Sequence, residues 1–168
     1  QELRSFAAAN EFGTICKPVF HGMFVDEASY SVYTRRVSLD SFDQDNVRIC
    51  PVLLQEEIAR SADVRATFIG PQCFVADIKG DPSLVDWRDP DVPVSYSVSS
   101  LSDEVQQMCR AMLAKLGLMY GAFDFVRTPE NDMVFLEVNP TGEWAWLEDR
   151  LGFPMRDAFI QLFFGNCK

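Results

Sequence analysis

Histidine is nearly missing from this sequence, with His21 the one example in 168 residues. That makes a zinc site a poor expectation, because such sites draw on several His and Cys ligands. Cysteine is present but unpatterned. Cys16, Cys50, Cys73, Cys109 and Cys167 are widely spaced, with no CxxC pair. An odd, scattered set fits a reducing compartment better than a disulfide framework. Basic charge is also scarce: Lys and Arg number 15 against 25 Asp and Glu, a net charge of -10. A general nucleic-acid surface needs a basic stripe and is excluded. A nucleotide pocket is not, since it needs only a few local cations and usually a metal. No apolar run approaches membrane-spanning length, and the opening QELRSFAAANEF is no signal peptide. The expectation is a cytoplasmic protein that binds neither membrane nor nucleic acid.

What is there is a core. Hydrophobic residues make up 48% of the chain, enough for one full domain or two small lobes. The first residues read as an amphipathic helix entered part-way and without Met, which suggests a fragment lacking an upstream domain. TICKPVF (14–20) reads as a strand and Ala28 to Val37 as another. SLDSFDQDN reads as a loop or a short capped helix. VRATFIG and CFVADIKG read as strands joined through Gly70-Pro71-Gln72. The stretch 81–93 has three prolines and four aspartates and reads as a loop. LSDEVQQMCRAMLAKLG is the clearest helix, with apolar residues at 105, 108, 109, 112, 113 and 116 on one face. Ser102 can cap its start and Gly117 its end. LMYGAFDFVR and MVFLEVN flank the turn-rich TPEND, and a helix from about Pro154 to Phe164 closes the chain. The expected class is α+β, mainly antiparallel sheet with a few packing helices.

MVFLEVNP poses a chemical problem. It places Glu137 and Asn139 in an apolar strand that Pro140 then stops. A turn centred near Glu130 sets Asp124 roughly opposite Glu137, while alternation sets Glu137 and Asn139 on one face. Like charges facing each other destabilise a sheet. A divalent cation resolves the conflict, since Mg²⁺ takes one or two carboxylates plus the phosphates of a substrate. Carboxylates at a strand end that simply face water are the plainer alternative.

Phosphates would also need cations. Lys17 lies in an apolar strand, where a snorkelling edge lysine is the plain explanation. Arg65 lies between apolar neighbours, and a solvent-facing strand position would account for it. Arg88 follows Trp87 among acids, as a surface ion pair would. Lys79 ends CFVADIK. In VLLQEEI, an apolar strand running into polar residues can offer backbone groups to a base edge, and Glu57 or Asp63 can accept from ribose hydroxyls.

Taken in order, ICKPV, LLQEEI, DVR, DWR, FDFV and FLEVNPTGEW resemble the motifs of ATP-grasp carboxylate–amine ligases over nearly the whole chain. The likeness is to the RimK-like branch, and within it to the peptide-modifying ligases of the microviridin, or graspetide, type. It implies two lobes of mainly antiparallel sheet with the nucleotide bound between them. Residues 1–54 would form the central lobe and 55–168 the C-terminal lobe, with the N-terminal domain absent. It further implies Lys17 on the nucleotide phosphates, and Lys79 as a weaker contact. Glu56, Glu57 and Ile58, led into by Gln55, would form a hinge against adenine, with Asp63 facing the ribose. Arg65 and Arg88 would hold the γ-phosphate and the acyl-phosphate, and Asp124, Glu137 and Asn139 two Mg²⁺ ions. Glu57 stands where the branch usually has an aromatic residue. The implied reaction consumes ATP, gives ADP and phosphate, and joins a peptide or protein carboxylate to an amine or hydroxyl through an acyl-phosphate. It also leaves room for a homodimer. A RimK-like amino-acid ligase acting on a protein terminus, a non-catalytic nucleotide-binding fragment, and an acidic structural domain are the competing readings.

Overall fold

Gly70 and Pro71 turn the chain back on itself between two eight-residue strands, β6 (Ala62–Ile69) and β7 (Gln72–Lys79). Gly70 has φ +55°, in the left-handed region where glycine carries no Cβ penalty. The computed structural model describes residues 5–6, 10, 13–19, 23–25, 29–31, 33–38, 51–81, 85–89 and 93–165. Of the expected opening helix, residues 5 and 6 are helical and most of the rest lies outside the described residues, as do the segment 39–50 and with it nearly all of SLDSFDQDN.

The described residues fall into two compact units. One comprises Gln1–Ala59 and Gly80–Pro93, the other Arg60–Lys79 and Val94–Lys168. The first holds a three-stranded antiparallel sheet in the order β4 (Arg35–Arg36), β1 (Thr14–Pro18), β5 (Val52–Glu56). A separate pair joins β2 (Met23–Val25) to β3 (Ser29–Ser31). The strand expected over Ala28–Val37 is therefore two strands: Tyr33 and Thr34 belong to neither, and Thr34 instead gives its N–H to the Asp86 carboxylate.

The second unit is a five-stranded sheet in the order β10-β9-β6-β7-β8, antiparallel throughout. β8 is Ser95–Val98, β9 Tyr120–Arg127 and β10 Met133–Asn139. Alternation sorts the side chains onto two faces. Val64, Ala66, Phe68, Val75, Phe123 and Phe125 pack under helix α1 (Asp103–Leu116) through Cys109 and Leu113. Phe68 and Phe123 meet edge to face at 5.3 Å, and burying each ring stabilises the fold by roughly 2 kcal/mol. The α1 ends are as expected: Ser102 accepts from the Val105 N–H, and Gly117 closes the helix at φ +68°.

The other face carries Ile69, Phe74 and Ala76 against Leu147 of α2 (Ala145–Leu151) and Met155 and Ala158 of α3 (Met155–Phe164). β8 and α2 were not expected: SYSV is too short and polar to read as a strand, and it forms by completing the edge of β7. Among the described residues no helix is long and apolar enough to cross a membrane.

Candidate functional site

In the larger unit the site begins with a row of charges across three strands. Arg65 of β6 stands opposite Asp124 of β9, which stands opposite Glu137 of β10. Their neighbours Val64, Ala66, Phe123 and Phe125 point into the α1 core, so the row projects from the opposite face. Arg65 is only 8% exposed. Its Nε donates to Asp124 Oδ1 at 2.6 Å and a terminal nitrogen donates to Oδ2 at 3.2 Å. This fork is the geometry in which arginine binds a carboxylate most strongly.

The guanidinium therefore supplies part of the compensation that the hairpin pattern alone assigned to a cation. Glu137 remains exposed and makes no ion pair among the described residues. Asn139 lies on the same side, two residues on, where its Oδ1 accepts from the Thr141 N–H at 2.9 Å and from its hydroxyl at 3.2 Å. Among the described residues no three His, Cys, Asp or Glu side chains converge as a ready metal cage. The donors nevertheless suit Mg²⁺: they are hard oxygens, and one carboxylate is open to solvent.

Asp63, on the Arg65 face, is held by Arg60 at 3.3 Å. Lys79 is not brought to this row. It follows Val75 and Asp77 in alternation, and these face the α1 side, where Asp77 binds Arg127 at 2.9 Å.

The smaller unit carries the remaining candidates. Lys17 lies opposite Leu53, and Ile15 lies between Gln55 and Arg36. Opposed residues share a face, so Lys17, Gln55 and Arg36 project to one side. The backbone of β5 has two edges. The Glu57 N–H donates to the Gly13 carbonyl at 2.9 Å. Because bonded and non-bonded positions alternate along an antiparallel ladder, Gln55 and Glu57 turn toward β1, while Glu56 turns outward. No strand pairs with that outer edge among the described residues.

Arg88 projects from the 85–89 turn and its side chain is 56% exposed. Asp86, buried at 7%, accepts from Arg88 Nε at 2.8 Å, from its NH2 group at 3.2 Å and from the Thr34 N–H at 3.0 Å. Burial acts to raise the Asp86 carboxyl, but the hydrogen bonds and charge of Arg88 outweigh it and hold the group below the ordinary carboxylate value.

Sequence reasoning missed two residues here. Asp86 was visible only as one acid among several. Arg36, which binds Glu57 across 21 residues of chain, left no local signal.

No protein-family model and no curated protein matches the chain. Solved structures do. The macrocyclase MdnC of Microcystis aeruginosa MRC, bound with its precursor peptide MdnA, superposes with a TM-score of 0.79 at 30% identity, over 96% of this chain and 52% of that one. A Chryseobacterium gregarium RiPP-associated ATP-grasp ligase, in complex with ADP and a leader and core peptide, gives a TM-score of 0.83 at 20% identity, over 99% and 52%. The ATP-grasp ligase PsnB, with a precursor variant, Mg and ADP, gives 0.70 at 25% identity, over 96% and 50%. The chain thus has the α+β fold of the ATP-grasp ligases. Its likeness, in sequence as in fold, is to those that modify ribosomal peptides, and it spans about half the length of the structures it matches.

Proposed function

We propose that this chain is the nucleotide-binding part of an ATP-dependent ligase that activates a carboxylate on a peptide. The observation that carries the reading is the Arg65–Asp124–Glu137 row. It puts an arginine held in a two-bond fork with a carboxylate, and a second carboxylate open to solvent, on one face of the sheet. The matched ligases support the substrate class, since three of them are described with peptides bound.

In the reaction, a carboxylate oxygen of the peptide attacks the γ-phosphorus. The bond to the bridging oxygen breaks, ADP leaves, and an acyl-phosphate remains. An amine or hydroxyl then attacks the acyl carbon, inorganic phosphate departs, and the attacking group loses its proton. The chain's own contribution is orientation and charge neutralisation, as in phosphoryl transfer generally. Lys17 would contact the phosphates, and Arg65 and Arg88 the group in transfer. The outward backbone of Glu56, together with that of Ile58, would read the base, with Asp63 toward the ribose. Asp124, Glu137 and Asn139 would hold Mg²⁺, two ions in the full complement, which when bound neutralises phosphate charge.

The test is calorimetric titration of ADP with and without Mg²⁺, into the native chain and Glu137→Gln. Mg-dependent binding that is lost in the variant, with the fold unchanged, supports the reading. Equal binding by both would remove Glu137 from the site.

A further inference from the structure

The hinge position that departs from its branch is not a loose charge. Glu57 is 7% exposed, and its carboxylate takes two short hydrogen bonds, Arg36 Nε to Oε2 and Arg36 NH2 to Oε1, both 2.6 Å. The hydrogen bond to Glu57, with its charge, holds the Arg36 guanidinium above its ordinary pKa against the opposing effect of burial. The pair joins the two outer strands of a three-stranded sheet, since Arg36 lies on β4, Glu57 directly follows β5, and β1 runs between them. It crosses at Gly13, which has φ +111° and would place a Cβ 3.8 Å from Glu57 Oε2. The Glu57 N–H is fixed to Gly13 as well. Both ends of this residue are therefore tied toward β1, the flanking Glu56 is left facing the open edge, and Ile58 follows directly on. Arg36 projects on the Lys17 side of the sheet, with its side chain 46% exposed.

We propose that Arg36 and Glu57 are a positioning pair that sets the base-reading edge of β5 and thereby its preference for adenine over guanine. The inference rests on the nucleotide reading above. A carbonyl at Glu56 and an N–H at Ile58 complement the amino donor and ring acceptor of adenine. Guanine presents the opposite order, a carbonyl acceptor and a ring N–H, and would leave both backbone groups unpaired. Such discrimination lasts only while the edge is held still. A two-bond ion pair with its carboxylate end buried, one residue from each reading group, holds it.

The experiment titrates MgADP and MgGDP into the native chain, Glu57→Gln, Arg36→Lys and the exchanged Arg36→Glu/Glu57→Arg chain, with a urea midpoint for each. Both single variants preserve bulk, and Arg36→Lys preserves charge while losing the fork. The expected result is a preference for ADP that falls about tenfold in each single variant, near the worth of one charge-assisted hydrogen bond. Partial recovery is expected in the exchanged chain. Lowered midpoints with an unchanged ADP-to-GDP ratio would overturn the proposal and make the pair purely structural. A native chain that is folded and binds neither nucleotide would overturn the nucleotide reading itself.

Discussion

The carboxylate of Asp86 grips the guanidinium of Arg88 two residues along the same turn, and with its second oxygen fixes the backbone of Thr34. One buried acid thus holds an exposed arginine and pins a distant segment of the same unit.

That arrangement has a pH signature. The folded Asp86 carboxyl lies below its ordinary value, so its contribution to stability is fully present above the unfolded carboxyl pKa. It is lost as pH falls through the folded one. Asp86→Asn should therefore be less stable than the native chain by roughly 2 kcal/mol near neutrality, and the gap should close toward acid. Urea unfolding over a pH series measures it. A gap that does not change with pH would show that the charge of Asp86 is not what matters.

Removing Arg65 should cost more than removing its partner's charge. Arg65→Ala leaves Asp124 without its two-bond cation and should lower stability by roughly 3 kcal/mol. Asp124→Asn keeps an acceptor oxygen and should cost less. Arg65→Lys retains the charge without the fork and should fall between them. Denaturant midpoints with unchanged slopes would establish the order, and equal losses from all three would contradict it.

Two thiols should be inert in the folded chain. Burial pushes Cys73 up to about 12 and Cys109 up to about 11, with the charge of Arg110 opposing it only in part. The thiolate is the reactive form, so iodoacetamide near neutral pH should leave both unlabelled until the chain is unfolded. Mass spectrometry of labelled peptides reads the outcome, and rapid labelling of Cys109 in native conditions would show that the α1 core opens.

The loop after β10 should be intolerant of bulk. A Cβ at Gly142 would sit 2.8 Å from the Ala122 Cβ and 3.5 Å from the Asn139 Cβ, and the Ala122 carbon is fixed in a central strand and cannot turn aside. The Gly142 carbonyl also accepts from the Tyr120 hydroxyl. Gly142→Ala should lower stability by about 1–3 kcal/mol, the usual range for overpacking, and should weaken Mg-dependent ADP binding by displacing Asn139. Thermal unfolding combined with the ADP titration tests both parts, and an unchanged melting temperature would mean that the loop simply lifts away.

Much of this was legible in the residues themselves, because local signals govern it. The α1 caps and the Gly70 turn depend on nearby sequence, and each is found where the sequence placed it, while Asp124 meets Glu137 through a bulge that the sequence did not announce. The strand expected over Ala28–Val37 was misread because its break is imposed by Asp86, some fifty residues away. β8 and α2 were missed because neither is periodic enough to stand alone, and each gains its stability by covering the sheet. At the site, the identities of the charged residues were readable. Their partners were not, since Arg36–Glu57 and Arg65–Asp124 are tertiary pairings that no local spacing records.

The bulge in β10 governs what the hairpin can display. Phe135 pairs with Phe125, but Glu137 pairs with Asp124, so Leu136 is an uncounted step. Regular counting from Phe135 would set Glu137 opposite Phe123, on the side packed beneath α1. The added residue changes the phase of the strand, as bulges do when they re-aim side chains. β10 is thus two short strands laid end to end, the first in phase with the core and the second in phase with the charged row.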